Sequence, residues 1–142
     1  MNILVTSPSF FKYENFIVDE LIKMGHQVKW LDDRKGLNFI RSAMLRLGFL
    51  KKRITKKVES EFQSELYHLG EINFFLCISP EGMSSNLIGQ IIKMADRSIL
   101  YMWDSFENKP SGRELLKIFD KVYSFDVLDS HHTGIHYLPL YY

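Results

Sequence analysis

Short apolar runs alternate with longer stretches of helical period from one end of this chain to the other. Residues 2–6, Asn-Ile-Leu-Val-Thr, form a nearly unbroken apolar run, the pattern of a strand covered on both faces, and the run breaks at Ser7-Pro8-Ser9. Over residues 13–24, Phe16, Ile17, Leu21 and Met24 recur at helical spacing, and Gly25 supplies the stop. Polar and apolar positions then alternate over residues 26–31, a second strand closed by Asp32-Asp33. Strand, helix and strand in so short a span make a βαβ unit with parallel strands and a right-handed crossover.

The pattern continues in the same sense. Residues 37–69 are helix-compatible and free of proline, with Gly48 dividing or bending the stretch. Residues 72–78 read as the third strand, with Ser79-Pro80-Glu81-Gly82 as its exit turn. Ser84 or Ser85 is placed to cap a helix over 86–95. A fourth strand is expected at 99–103, a short helix at 113–119, a fifth strand at 122–125 and a sixth at 135–138. Six strands separated by helical connectors predict a single α/β domain over residues 1–142, a doubly wound, mostly parallel six-stranded sheet. In such sheets ligands bind beyond the carboxyl ends of the strands. A chain that stops directly after a strand also leads us to expect that it works as part of a larger machine.

Composition narrows the setting. A net charge of +1 argues neither for nor against a polyanionic partner. The aromatic content, 14%, suits a strand-rich core or a surface that meets a partner. Cys77 is the single cysteine and lies inside Phe74-Phe75-Leu76-Cys77-Ile78, so a buried, inert thiol is expected and no intramolecular disulfide can form. With no secretory signal pattern and no apolar run of bilayer length, the expected setting is the cytoplasm, with attachment to the inner face of the plasma membrane as an option.

Candidate chemistry is thin at most of the usual places. The first turn, Thr6-Ser7-Pro8-Ser9-Phe10, holds no glycine, so close approach to a dinucleotide pyrophosphate is disfavoured there. No phosphate-binding loop of the G-x-x-x-x-G-K-[ST] type and no G-x-S-x-G elbow occur, and no cofactor is expected. His131 and His132 are adjacent, about 100° apart on a helix, and cannot share a metal as an i, i+4 pair does. No metal site is predicted. Ser7 and Ser9 either offer hydroxyls to a ligand or cap the following helix.

The loops beyond the strands carry the remaining polarity. Asp104 and Ser105 after the fourth strand, Glu81 after the third and Asp126 after the fifth stand in one row, where a carboxylate can take a proton or hold a hydroxyl. Each has a purely structural alternative as a turn cap or a solvated charge. The stretch 41–57 carries Arg41, Arg46, Lys51, Lys52, Arg53, Lys56 and Lys57 with no acidic residue, interleaved with an apolar stripe. A basic amphipathic helix reads as a solvated face or as a membrane-surface contact, with nucleic acid the weakest of the three.

The residues YMWDSFENKP, LLKIFDKVYSFDVLDS and GIHYLPLYY, in that order over residues 101–142, resemble bacterial glycosyltransferase-like proteins of lipopolysaccharide and capsule gene clusters. The opening strand and Met24-Gly25-His26-Gln27-Val28 are similar to the start of many Rossmann-like domains, GT-B glycosyltransferases among them. The resemblance implies the N-terminal, acceptor-side half of a two-domain enzyme of surface polysaccharide synthesis. Its nucleotide-sugar half would come from a C-terminal domain or a partner chain, and the acceptor would be a carbohydrate or a lipid-linked sugar. It further implies Asp104 as the acceptor-facing base, Ser7, Ser9, Glu81, Ser105 and Asp126 as pocket residues, and Arg46, Lys51, Lys52, Arg53, Lys56 and Lys57 at lipid headgroups. The rival reading is a non-catalytic binding or assembly module of the same fold, suggested by the apolar end Tyr137, Leu138, Leu140, Tyr141 and Tyr142. A receiver-like signalling domain would need a cluster of acids after the first strand, which Ser7-Pro8-Ser9 does not offer.

Overall fold

A computed structural model describes residues 1–9, 12–34, 60 and 62–140. Strands β1 (Asn2–Ser7), β2 (Gln27–Asp32), β3 (Ile72–Ile78), β4 (Ala95–Met102), β5 (Lys121–Ser124) and β6 (Ile135–Tyr137) form one sheet in the order β2-β1-β3-β4-β5-β6. Every neighbouring pair is parallel. Helix α1 (Tyr13–Lys23) joins β1 to β2, and α2 (Ser85–Met94) joins β3 to β4. The described residues thus form a Rossmann-like α/β fold with an all-parallel sheet.

The chain steps from β1 to one side and, from β3 onward, to the other. Right-handed crossovers in opposite directions place their helices on opposite faces. The packing shows this division. Ile17 and Leu21 of α1 meet Ile3, Val5 and Ile78, with Val28, Trp30, Phe74 and Leu76 around them. Leu87, Ile88 and Ile91 of α2 pack on the other face against Leu4, Phe75, Leu100 and Val122, together with Phe62 and Leu66 from the helical residues 62–67. Central β1 is covered on both sides, which is why Ile3, Leu4 and Val5 are all buried and the strand does not alternate. Edge strand β2 keeps Gln27 and Lys29 exposed.

Local signals set most boundaries. Gly25 takes φ +87 after α1, and the amides of Met24 and Gly25 close the helix onto Glu20 and Ile22 carbonyls. Of the two candidate caps of α2, Ser84 is the one used, its Oγ accepting from the Leu87 amide at 3.2 Å.

Two elements differ from expectation. Strand β4 begins at Ala95, four residues early, because pairing of Ala95 with Ile72 and Arg97 with Phe74 draws polar residues into the ladder. The connector to β5 is a 3₁₀ segment, Pro110–Leu115, where a helix over 113–119 is expected. Pro110 starts it, and Gly112 sits where a Cβ would lie 3.0 Å from both Met102 Cε and Phe106 Cε1, so a single tight turn fits the gap. The expected helix over 37–69 and its bend at Gly48 lie outside the described residues except at 60 and 62–69, of which 60 and 62–67 are helical. Among the described residues no helix is long and apolar enough to cross a membrane.

Candidate functional site

The strand order reverses between β1 and β3, and the loops leaving β1, β2, β3 and β4 meet above that point. The loop after β1 is held from below. Ser7 is fully buried and its Oγ accepts from Trp30 Nε1 at 2.9 Å. Ser9 donates its amide to Asp32 Oδ1 at 3.2 Å and its hydroxyl to Glu14 Oε1 at 3.0 Å. Neither serine caps α1, whose N-cap position is Lys12 at φ 62 without a side-chain bond. The capping alternative for this pair is therefore not what the chain does: Ser7 braces β2 through Trp30, and Ser9 ties the turn to Asp32 and Glu14.

The loops after β2, β3 and β4 are joined by charge. The Glu81 carboxylate takes Arg34 Nε at 2.7 Å on Oε2 and Lys109 Nζ on Oε1. Lys109 Nζ also reaches Asp104 Oδ2 at 2.9 Å. Two of the carboxylates picked out from sequence, Glu81 and Asp104, thus share one ammonium group. An exposed ion pair contributes little to stability, but this chain of four charges arranges donors and acceptors alternately along one rim.

The other sequence candidates serve their own turns. Ser105 is buried; its Oγ accepts from the Asn108 amide at 3.2 Å and its carbonyl from the Lys109 amide at 2.9 Å, an arrangement that presents Lys109. Asp126 Oδ1 accepts from the Leu128 amide at 2.8 Å, an Asx-type turn after β5. Arg46, Lys51, Lys52, Arg53, Lys56 and Lys57 lie outside the described residues. His131 and His132 are exposed, and no group of three His, Cys, Asp or Glu side chains suited to a metal occurs among the described residues.

Sequence reasoning passed over the most unusual residue of the site. Asp33, read there only as part of a turn, is completely buried. Its amide donates to Ser7 O at 3.1 Å, and its Oδ2 accepts from the amides of Glu81 and, at 3.2 Å, Gly82. Its Oδ1 has no hydrogen-bond partner among the described residues. Burial pushes the carboxyl up to about 6 against the two amide bonds, with the charges of Glu81 and Asp32 adding to the rise. The available signal was position alone: a second acid directly after a strand, at the carboxyl end of the sheet. Cys77, opposite Thr6 on β3, is fully buried as expected, and burial pushes its thiol far up.

Fold and rim together define a doubly wound α/β protein with a charged rim at the carboxyl ends of its central strands. No family model, curated protein or solved structure matches the chain.

Proposed function

We propose that this chain is the acceptor-side half of a glycosyltransferase, binding a carbohydrate or lipid-linked acceptor at the carboxyl rim of β1, β3 and β4. The observation that carries the reading is the rim Arg34–Glu81–Lys109–Asp104, directly above the switch point. A sugar hydroxyl both donates and accepts, so alternating carboxylates and cations suit a polyol better than they suit a simple ion. The motif resemblance over residues 101–142 supports the same class, and the absence of a glycine-rich first turn agrees with a domain that does not itself hold a dinucleotide.

In this scheme the nucleotide-sugar is held by a C-terminal domain or a partner chain facing the rim. The acceptor oxygen attacks the anomeric carbon, the nucleotide departs, and Asp104 takes the hydroxyl proton. Asp104 Oδ2 is held by Lys109, while its side chain remains 41% exposed. The setting would be cytoplasmic, at the inner face of the plasma membrane, in surface polysaccharide synthesis. A second reading, a binding or assembly module, is favoured by the exposed apolar residues Val127, Leu128, Tyr137, Leu138 and Leu140.

The deciding experiment is an NMR titration of the chain with a panel of mono- and oligosaccharides. Amide shifts confined to Ser9, Glu81, Asp104 and Lys109, and lost in Glu81→Gln, are expected. Shifts absent with every sugar, or centred at the opposite end of the sheet, would remove the acceptor-site reading.

A further inference from the structure

The loop that leaves β3 is fixed at both ends and tied in its middle through other loops. Upstream, Ser79 stands at φ 38, a conformation that favours glycine, and is held by its amide to Tyr101 O at 2.9 Å and by Trp103 N to its Oγ at 2.8 Å. Downstream, Met83 is buried and Ser84 caps α2. Between them, the amides of Glu81 and Gly82 both donate to Asp33, while the Glu81 side chain holds Arg34 and Lys109.

We propose that Asp33 is a proton-controlled latch: its buried carboxyl clasps the Glu81–Gly82 backbone of the β3 exit loop, and its ionisation favours release of that loop. The consequence for ligand access rests on the rim being the binding site; the latch itself does not.

From β1 the Ser7 carbonyl, which does not ionise, accepts the Asp33 amide. On its own strand end the carboxyl has Asp32 before it and Arg34 after it, from β3 the neutral buried Cys77, and from the exit loop Glu81, whose charge is shared by Arg34 and Lys109. Two carboxylates and burial oppose the charged form; two amide bonds favour it. Burial wins, and the group titrates at about 6 in the closed loop. A carboxyl that returns to water as the loop lifts regains an ordinary titration, near 3.8. The closed state therefore holds the extra proton, and raising the pH through 6 favours the open one. Opening parts Glu81 from Asp33 and, with it, the rim that Glu81 organises.

Hydrogen exchange of the Glu81 and Gly82 amides, normalised for intrinsic rate, tests this without any ligand. Their protection should fall about tenfold between about pH 5 and about pH 8. It should stay below that of Phe75 and Leu100, which report global unfolding. In Asp33→Asn, which keeps the acceptor oxygen and removes the charge, protection should be level across the same range. Protection that is level in the native protein, equal to that of Phe75 and Leu100 throughout, or still pH-dependent in Asp33→Asn overturns the latch. If Asp33→Asn does not fold, the ¹³C titration of Asp33 in the native protein decides. A midpoint near 6, tracking the loss of protection, supports the latch, and an ordinary carboxylate midpoint overturns it. Failure of every sugar to bind would overturn the proposed function and leave this result standing.

Discussion

Replacing Asp33 by asparagine is expected to raise the stability of the protein relative to the native chain as the pH goes from acid to alkaline. The native carboxyl titrates at about 6 against 3.8 in the unfolded chain, so the folded state binds the extra proton between those values. Unfolding stability therefore falls as pH rises through this window. Taking about 1.4 kcal/mol for each pH unit between the two values, the full swing is about 3 kcal/mol. That is a large share of the roughly 5–15 kcal/mol that holds a domain together. The side chain is completely buried, so solvent screening does not reduce the figure much. Asparagine preserves the oxygen that accepts from Glu81 and Gly82 and abolishes the charge. Its amino group replaces the partnerless Oδ1 and can add a constant penalty of about 1–3 kcal/mol. The pH dependence, not the absolute difference, carries the test. Urea unfolding of both proteins from about pH 4 to about pH 8 gives the difference curve, in which titrations common to both cancel. A variant that gains up to about 3 kcal/mol relative to the native protein on going from acid to alkaline pH is expected. A flat difference, or one of opposite slope, would refute the assignment of a raised carboxyl to this position.

Gly112→Ala should destabilise the fold by about 1–3 kcal/mol. The new methyl would lie 3.0 Å from both Met102 Cε and Phe106 Cε1, and although the methionine end can yield, the buried ring cannot move freely. Thermal unfolding checks this, and an unchanged midpoint would mean that the Phe106 ring gives way. Cys77 is fully buried with its thiol pushed up, so a thiol reagent should label it only as fast as the protein opens. Labelling in plain buffer at the rate of a free thiol would show that the face beneath α2 is not closed.

The alternation of apolar runs and helical stretches was enough to place six strands and both α1 and α2, because each apolar run is short and ends at a polar turn with its own local signal. Ser7-Pro8, Gly25 and Ser79-Pro80 act through backbone preferences that need no tertiary partner. Where pairing overrides propensity, the pattern misled. Asp96 and Arg97 look like a loop, yet they extend β4 because β3 offers a ladder beside them. The connector after β4 looks helical, yet the space left by Met102 and Phe106 admits only a 3₁₀ turn.

The site divides in the same way. A row of acids at strand ends is visible in one dimension, and Glu81 and Asp104 stood out there. That one lysine joins them, that Arg34 completes the rim, and that Asp33 is sealed beneath the β3 loop depend on contacts that, Lys109–Asp104 apart, join residues 28 to 49 positions apart. The sequence by itself determined which segments are strands and helices and which strand ends carry carboxylates, because both follow from local period and local residue type. Only the tertiary structure decided which of those acids is buried, since desolvation depends on what the rest of the chain lays over a side chain. A strand-end aspartate facing water and one closed beneath a loop are the same residue in the sequence; packing alone makes one an ordinary carboxylate and the other a group that holds its proton to about pH 6.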